Sequence, residues 1–271
     1  MTRTHGGRVR RPGPGVPLAL LLPAVLGLVF LVLPLVGLVA RTPWADLPQR
    51  LAAPGVLTAL RLSLLTATLA TLLCLLLGVP LAWLLARVEF PGRRLVRALV
   101  TVPLVLPPVV GGVALLLVFG RRGLLGGWLD ATFGISLPFT TAGVVLAEAF
   151  VAMPFLVIAV EGALRGTDGR YEEAAATLGA GRWTTFTHVT LPLVAPGLAA
   201  GAVLCWARAL GEFGATITFA GNYPGRTQTM PLAVYLALET DVQAAVVLSL
   251  VLLAVSVAIL AGLHDRWITS P

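Results

Sequence analysis

Long stretches of this sequence carry no charged residue, and short arginine-bearing segments separate them. Val16–Ala40, Leu62–Ala86 and Ala98–Gly120 are free of charge altogether. Thr141–Gly162 is apolar but interrupted by Glu148, and a stretch from about Leu193 to Phe219 is interrupted by Arg208 and Glu212. Val242–Leu263 is charge-free again. A helix that crosses a bilayer needs about 20 residues, so the pattern predicts six such helices. The first is too long for the apolar part of a secretory leader, which runs to about 7–15 residues. The predicted fold class is all-α, a polytopic membrane protein with about six transmembrane helices. Residues 1–15 form a basic tail, residues 16–265 a single membrane domain, and residues 266–271 a short C-terminal tail. The sequence shows no internal repeat and no second domain.

Composition supports this. Of 271 residues, 58% are hydrophobic and 11% charged, where a soluble domain carries about 25% charged residues. The net charge of +7 comes from arginine alone, since the chain has no lysine. The arginines lie between apolar spans, so they point to membrane orientation rather than to nucleic acid. The basic tail, the 86–97 loop, the 163–193 loop and the C-terminus hold twelve of them, against six on the opposite side. Both termini are therefore expected in the cytoplasm, with loops of about 41–60, 121–140 and 220–241 on the outer side of the cell membrane. Cys74 and Cys205 lie inside apolar spans and are expected to pack as small apolar residues.

Two spans are not plain lipid-facing helices. One holds Pro103, Pro107 and Pro108 followed by Gly111 and Gly112. Prolines remove backbone donors, and in hydrocarbon the freed groups need protein or a water-lined cavity as a partner. A broken helix at this depth points to a translocation path; a proline-kinked packing helix is the alternative. The other runs from Trp206 to Thr216. Arg208 and Glu212 are four apart and share a helix face. At about 1.5 Å per residue, Glu212 and Glu148 both fall roughly 10 Å from the outer ends of their spans. Ionisable groups inside a span are expected to be functional, so a network of Glu148, Arg208 and Glu212 is expected, with a static ion pair as the alternative. Thr216, Thr218, Asn222, Thr227 and Thr229 offer neutral donors near the outer mouth, or serve as loop caps.

The most informative stretch is Glu172–Pro192, which is too polar to cross a membrane. Glu172 and Glu173 suit the positive end of a helix dipole, and Ala174–Leu178 are good helix formers. Gly179 to Gly181 break the run. Trp183, Phe186 and Val189 recur on one helical face, and Pro192 is expected to end this second helix. The segment reads as a helical elbow between two membrane helices, built to dock on a partner; an interfacial helix without one is the alternative.

Glu173-Ala174-Ala175, then Gly179, Val189 and Leu191-Pro192, resemble the EAA loop of the permease subunits of ABC importers. The LPPVVGG run ending at Gly112, and ARALGEFGAT over Ala207–Thr216, resemble permeases for tetrahedral oxyanions, most closely the molybdate permease family across about residues 55–265. That resemblance implies an ABC type I importer fold. It makes residues of about 165–192 a coupling loop, with Glu172, Glu173, Ala174, Ala175, Gly179, Phe186, Leu191 and Pro192 facing a cytoplasmic ATP-binding subunit. It places Pro107, Pro108, Gly111, Gly112, Glu148, Arg208, Glu212, Thr216 and Thr218 along the path. It also implies a homodimer, an extracytoplasmic oxyanion-binding protein, and ATP-Mg bound by the partner subunit. Molybdate is the implied cargo, with tungstate close to it; sulfate or thiosulfate is the alternative, and a secondary carrier or channel a more distant one.

Enzymes fit poorly. His5, His188 and His264 are scattered, so no metal spacing exists. Without lysine the chain has no phosphate loop of the GxxxxGK[ST] kind, so it has no catalytic residue, metal or cofactor of its own to expect.

Overall fold

The computed structural model describes residues 18–268. The basic tail over residues 1–15, with His5, and residues 269–271 of the C-terminal tail lie outside the described residues. Every regular element described is helical. Helix α1 (Leu18–Ala40) forms one compact unit, and the remaining helices form the second.

In the second unit a short α2 (Leu47–Leu51) precedes α3, which runs from Pro54 to Arg87. The charge-free run alone places the start of α3 at Leu62, but the helix takes in Arg61 and begins eight residues earlier, with Pro54 in its first turn. Proline suits that position because the first-turn N–H groups have no intrahelical acceptor. At about 1.5 Å per residue the helix is roughly 50 Å long, more than the hydrocarbon core, which a tilt or an overhang accommodates.

The third span is two helices, α4 (Arg93–Val105) and α5 (Pro108–Phe119), bent by 118°. The sequence explains the bend. Leu106 and Pro107 each precede a proline and are extended, with ψ of 133° and 132°, because a following proline ring disfavours helical backbone. Pro108 then opens α5. Among the described residues five helices are long and apolar enough to cross a membrane, and six if this bent pair is one span.

After α6 (Gly126–Phe133), α7 runs from Thr141 to Gly166, and the Thr140 hydroxyl accepts the Gly143 N–H at 3.1 Å to cap it. The elbow follows, as α8 (Arg170–Thr177) and α9 (Arg182–Thr185), then α10 (Leu191–Leu210) and α11 (Gly214–Phe219). The 220–241 segment, expected as an outer loop, contains a helix, α12 (Met230–Thr240). Its uncharged stretch is shorter than a crossing requires, so hydropathy assigns it to a loop. The last helix, α13 (Val242–Ile268), continues beyond Leu263 into the expected C-terminal tail.

Helices α3, α7 and α10 form the core. They meet over small residues, Ala67, Ala70 and Cys74 on α3, Ala149 and Ala152 on α7, and Cys205 and Ala209 on α10, all at 2% exposure or less. Small side chains let helix backbones approach closely in a membrane. Both cysteines are free thiols packed in this core. A second cluster joins Leu115 of α5, Ala147 and Val151 of α7, and Ala215 and Phe219 of α11. A third joins Ala59 of α3 to Met230 of α12 and Leu248 of α13, and the Met230 N–H donates to the Ser63 hydroxyl at 2.7 Å.

Helices α5 and α11 touch backbone to side chain. A Cβ on Gly112 would stand 2.6 Å from Thr218 Cβ and 2.9 Å from the Ala215 carbonyl oxygen. On the other side, a Cβ on Gly214 would stand 2.8 Å from Pro108 Cβ.

Gly112→Ala is expected to destabilise by about 1–3 kcal/mol, the usual range for overpacking, seen as a lower melting temperature in detergent. Gly162→Ala, where a Cβ meets nothing within 4 Å, should not lower it. Arg50 Nη1 donates to Asp241 Oδ2 at 2.7 Å, tying α2 to the start of α13. That bond first, then the Ala244 N–H, holds the Asp241 carboxyl below the usual aspartate range. A depressed acid stabilises above its unfolded value and loses the contribution as pH falls through the folded one. Exchange protection of the α2 amides should therefore be flat from about pH 5 to 8 and decline below about pH 4.

Candidate functional site

The elbow is built from local rules. α8 ends in a Schellman motif: the Gly179 N–H donates to Ala176 O and the Ala180 N–H to Ala175 O, both at 3.0 Å. The motif needs a left-handed residue after the helix, and Gly179 supplies it at φ 82°. The next helix does not stop at Pro192. From Arg182 the chain is helical through to Leu210, passing through a π-helical turn at Phe186–Thr190. There the Leu191 N–H reaches back to Phe186 O. Pro192 has no N–H to lose, and a wider turn relieves the clash of its ring with the preceding carbonyls. The proline is absorbed rather than obeyed.

The two elbow glutamates part company. Glu172 faces inward. Its Oε1 lies 3.0 Å from Arg87 Nη2 at the end of α3 and accepts the Thr190 hydroxyl at 2.9 Å. One carboxylate thus joins the end of α3, α8 and the π turn. Glu173 is exposed with no side-chain partner among the described residues, as are Ala174 and Gly179. Phe186 is wedged edge-on against Trp83 of α3, with ring centroids 6.4 Å apart, and lies 5.8 Å from Trp183. The expected common face of Trp183, Phe186 and Val189 is therefore divided: Phe186 and Val189 are half-buried, and Trp183 is 75% exposed. With Leu178 at 88% and Tyr171 at 57% it gives the elbow an apolar outer surface, the usual mark of a protein contact. Ala175 and Leu191 are half-buried and Pro192 exposed.

A further clasp holds the same end of the bundle. Glu161 of α7 takes Arg97 of α4 at 2.8 Å and Arg165 at 2.7 Å on one carboxylate oxygen. Glu161 falls within the apolar Thr141–Gly162 stretch, as Glu148 does, whereas Arg87 does not stand out in the sequence. The four-residue spacing of Glu161 and Arg165 is a usable signal; the Arg87–Glu172 pairing has none, since one lies at the end of α3 and the other in the elbow.

The interior group is laid out differently from the expected three-way network. Arg208 Nη2 lies 2.6 Å from Glu212 Oε2. The other oxygen of Glu212 accepts the Ala215 N–H of α11 at 2.8 Å. Glu148 instead accepts the Thr66 hydroxyl of α3 at 2.9 Å and has no ion pair among the described residues. Local spacing puts Arg208 and Glu212 together, while α3 supplies the neighbour of Glu148. Both carboxylates are 1% exposed.

The expected outer-mouth donors are largely buried. Thr216, Thr227 and Thr229 are at most 1% exposed. Thr227 accepts the Tyr223 N–H at 2.8 Å, so its role is loop capping. Thr218 is half-buried and donates to Gly214 O at 2.8 Å, and Asn222 is half-buried. Thr216 lies on α11, which packs against α5 and α7, and Thr227 and Thr229 lead into the N-terminus of α12, which is held against Ser63. Pro107, Pro108, Gly111 and Gly112 form the bend and the first turn of α5, in contact with α7 and α11. The two irregular stretches of the sequence therefore meet.

The profile of the family described as "Binding-protein-dependent transport system inner membrane component" matches residues 78–270. The molybdenum transport system permease protein ModB of Mycobacterium tuberculosis is 50% identical over 255 residues, 94% of this chain and 96% of that protein. The sulfate transport system permease protein CysT of Escherichia coli is 39% identical over 259 residues, 94% of this chain and 93% of that one. Among solved structures, a bacterial ABC transporter involved in the import of the acidic polysaccharide alginate has a TM-score of 0.75 at 20% identity, over 93% of this chain and 95% of that one. This last is a likeness of fold.

Glu172→Ala leaves Arg87 and Thr190 without their shared acceptor. Amide exchange over residues 170–190 is expected to quicken by about tenfold as the elbow opens locally, while exchange in α7 stays unchanged. Hydrogen exchange with peptide-level readout measures both.

Proposed function

This chain belongs to the inner membrane components of binding-protein-dependent transport systems, and from that premise we propose that it is the membrane-spanning permease of an ATP-driven importer for molybdate. One observation carries the reading: half the residues are shared with a molybdenum permease across nearly the whole of both chains. The elbow supports it, being a rigid helical projection with an apolar outer surface and a free carboxylate at Glu173.

In this reading two copies of the chain form the pore, since six spans suit a two-fold pair. An ATP-binding subunit docks on each elbow, a helix-in-groove contact, and supplies all the ATP-Mg chemistry. Glu173, Ala174, Gly179 and Trp183 face it. Glu172 does not; it fixes the elbow to α3 and α10. When ATP draws the two nucleotide subunits together the elbows move with them. Because Glu172 and Phe186 clamp the elbow to α3, the movement reaches the core helices and turns the path from inward-open to outward-open. An extracytoplasmic oxyanion-binding protein delivers the anion to the outer loops, and hydrolysis resets the cycle. The elbow and both termini lie on the cytoplasmic side, in keeping with the arginine excess there. The cargo passes the crossing of α5 and α11, past Pro107, Pro108, Gly111, Gly112, Arg208, Glu212, Thr216 and Thr218, with Glu148 behind them.

A second reading, sulfate as cargo, rests on the 39% identity with a sulfate permease. Uptake of labelled molybdate at nanomolar concentration, with and without the gene, separates the two. Gene-dependent uptake that survives excess sulfate supports molybdate; uptake abolished by sulfate moves the cargo to sulfate.

Gly179→Asp and Glu173→Lys are expected to insert normally and to lower cargo-stimulated ATP hydrolysis by at least about tenfold. The first strains a left-handed backbone position at a cost of about 1–2 kcal/mol and puts a charge on the docking face; the second reverses the free carboxylate. Normal stimulation in both would remove the elbow from the coupling.

A further inference from the structure

Arg208 is the one cation in the interior group, and it is neutralised. Its guanidinium lies 2.6 Å from the Glu212 carboxylate. Glu212 is 1% exposed, whereas the Arg208 side chain is 27% exposed. A guanidinium has five N–H donors. Among the described residues Arg208 has no partner besides Glu212, so most of its donors are open on its accessible side. Glu212 is fixed from behind, because its other oxygen holds the Ala215 N–H at 2.8 Å. The carboxylate therefore cannot follow the arginine if the arginine moves. Glu148 on α7 adds a second buried carboxyl, with Thr66 on one oxygen and no hydrogen-bond partner on the other.

A conducting site has to meet its ion without keeping it. A bare arginine would hold a tetrahedral dianion through paired charge-assisted hydrogen bonds. A carboxylate already seated on the arginine competes with that grip.

Building on the oxyanion-importer reading, we propose that Arg208 is the point of contact for the tetrahedral dianion inside the membrane, and that Glu212 is a built-in competitor that keeps the contact weak enough to release the cargo. Glu212 is then a positioning residue, and Arg208 the cargo-binding one. As the dianion passes, the guanidinium turns from Glu212 to the anion and back. Removing the competitor converts a transit point into a trap.

The test uses Glu212→Gln. The glutamine oxygen can still accept the Ala215 N–H, so the start of α11 is preserved while the charge is lost. The whole complex, permease with its ATP-binding subunit in nanodiscs and without binding protein, is titrated with labelled molybdate, tungstate and sulfate. E212Q is expected to bind at least one of these dianions about tenfold or more tightly than wild type, and to transport more slowly. Binding no tighter than wild type for all three overturns the proposal, and so does tight binding that persists in the double variant Arg208→Gln/Glu212→Gln. A purely structural Glu212 would lower stability and would not raise affinity. The double variant, which leaves no member of the pair charged alone, also tests the idea without E212Q: its maximal transport rate should fall by at least about tenfold at unchanged KM for the loaded binding protein. A rate within about twofold of wild type overturns the proposal. The cargo reading is checked separately, in wild type, by whether molybdate-loaded binding protein stimulates ATP hydrolysis. If only sulfate-loaded protein does so, the cargo changes while the Arg208–Glu212 proposal is judged by its sulfate titration.

Discussion

A helix that breaks inside a membrane exposes backbone groups that lipid cannot satisfy. Among the described residues two apolar stretches are broken, at Leu106–Pro107 between α4 and α5 and at Gly211–Phe213 between α10 and α11. The two breaks pack against each other. The first turns of α5 and α11 press together over Gly112 and Gly214, closely enough that a single added carbon at either would collide. Each broken end is covered by the other, and α7 packs under both through Ala147 and Val151. The Arg208–Glu212 pair depends on this arrangement, because Glu212 sits in the second break and caps the helix that follows it.

At the other end of the bundle the dominant forces are ionic. Glu172 and Glu161 each collect two partners, from an arginine on another helix and from a nearby residue of their own segment. Glu161 is buried and Glu172 half-buried, so the attraction in each pair is offset by the cost of desolvating the charges. Their value here is geometric: they fix where the elbow stands relative to α3 and where α4 stands relative to α7. Phe186, wedged on Trp83, adds an apolar stop. α8 is thereby tied to the core helices rather than carried on a loose loop.

Local rules made much of this legible in the sequence. Charge-free length located the crossing helices, the prolines located the bend after Val105, the glycine at 179 located the turn of the elbow, and four-residue spacing paired Arg208 with Glu212. Hydropathy failed where composition and structure part. It cut α3 short at Arg61, although a helix can carry one arginine, and it missed α12, whose uncharged run is short. Pro192 misled for a different reason. A proline does not by itself end a helix, as Pro80 in α3 and Pro154 in α7 also show, and the π turn at Phe186–Thr190 gives the ring of Pro192 room. The contacts that sequence could not reveal are those between elements far apart in the chain: Arg87 with Glu172, Arg97 with Glu161, and Thr66 with Glu148. Nothing local to either member of such a pair announces the other.

The crossing of α5 and α11 is made largely of main chain and of the smallest residues. It therefore holds the bundle's middle without asking any particular chemistry of the side chains around it. Neighbouring positions can be exchanged over generations while the crossing stays intact, so long as the glycines remain. Side chains around the crossing are thus free to differ without moving the frame of the bundle, provided Gly112 and Gly214 stay without a Cβ.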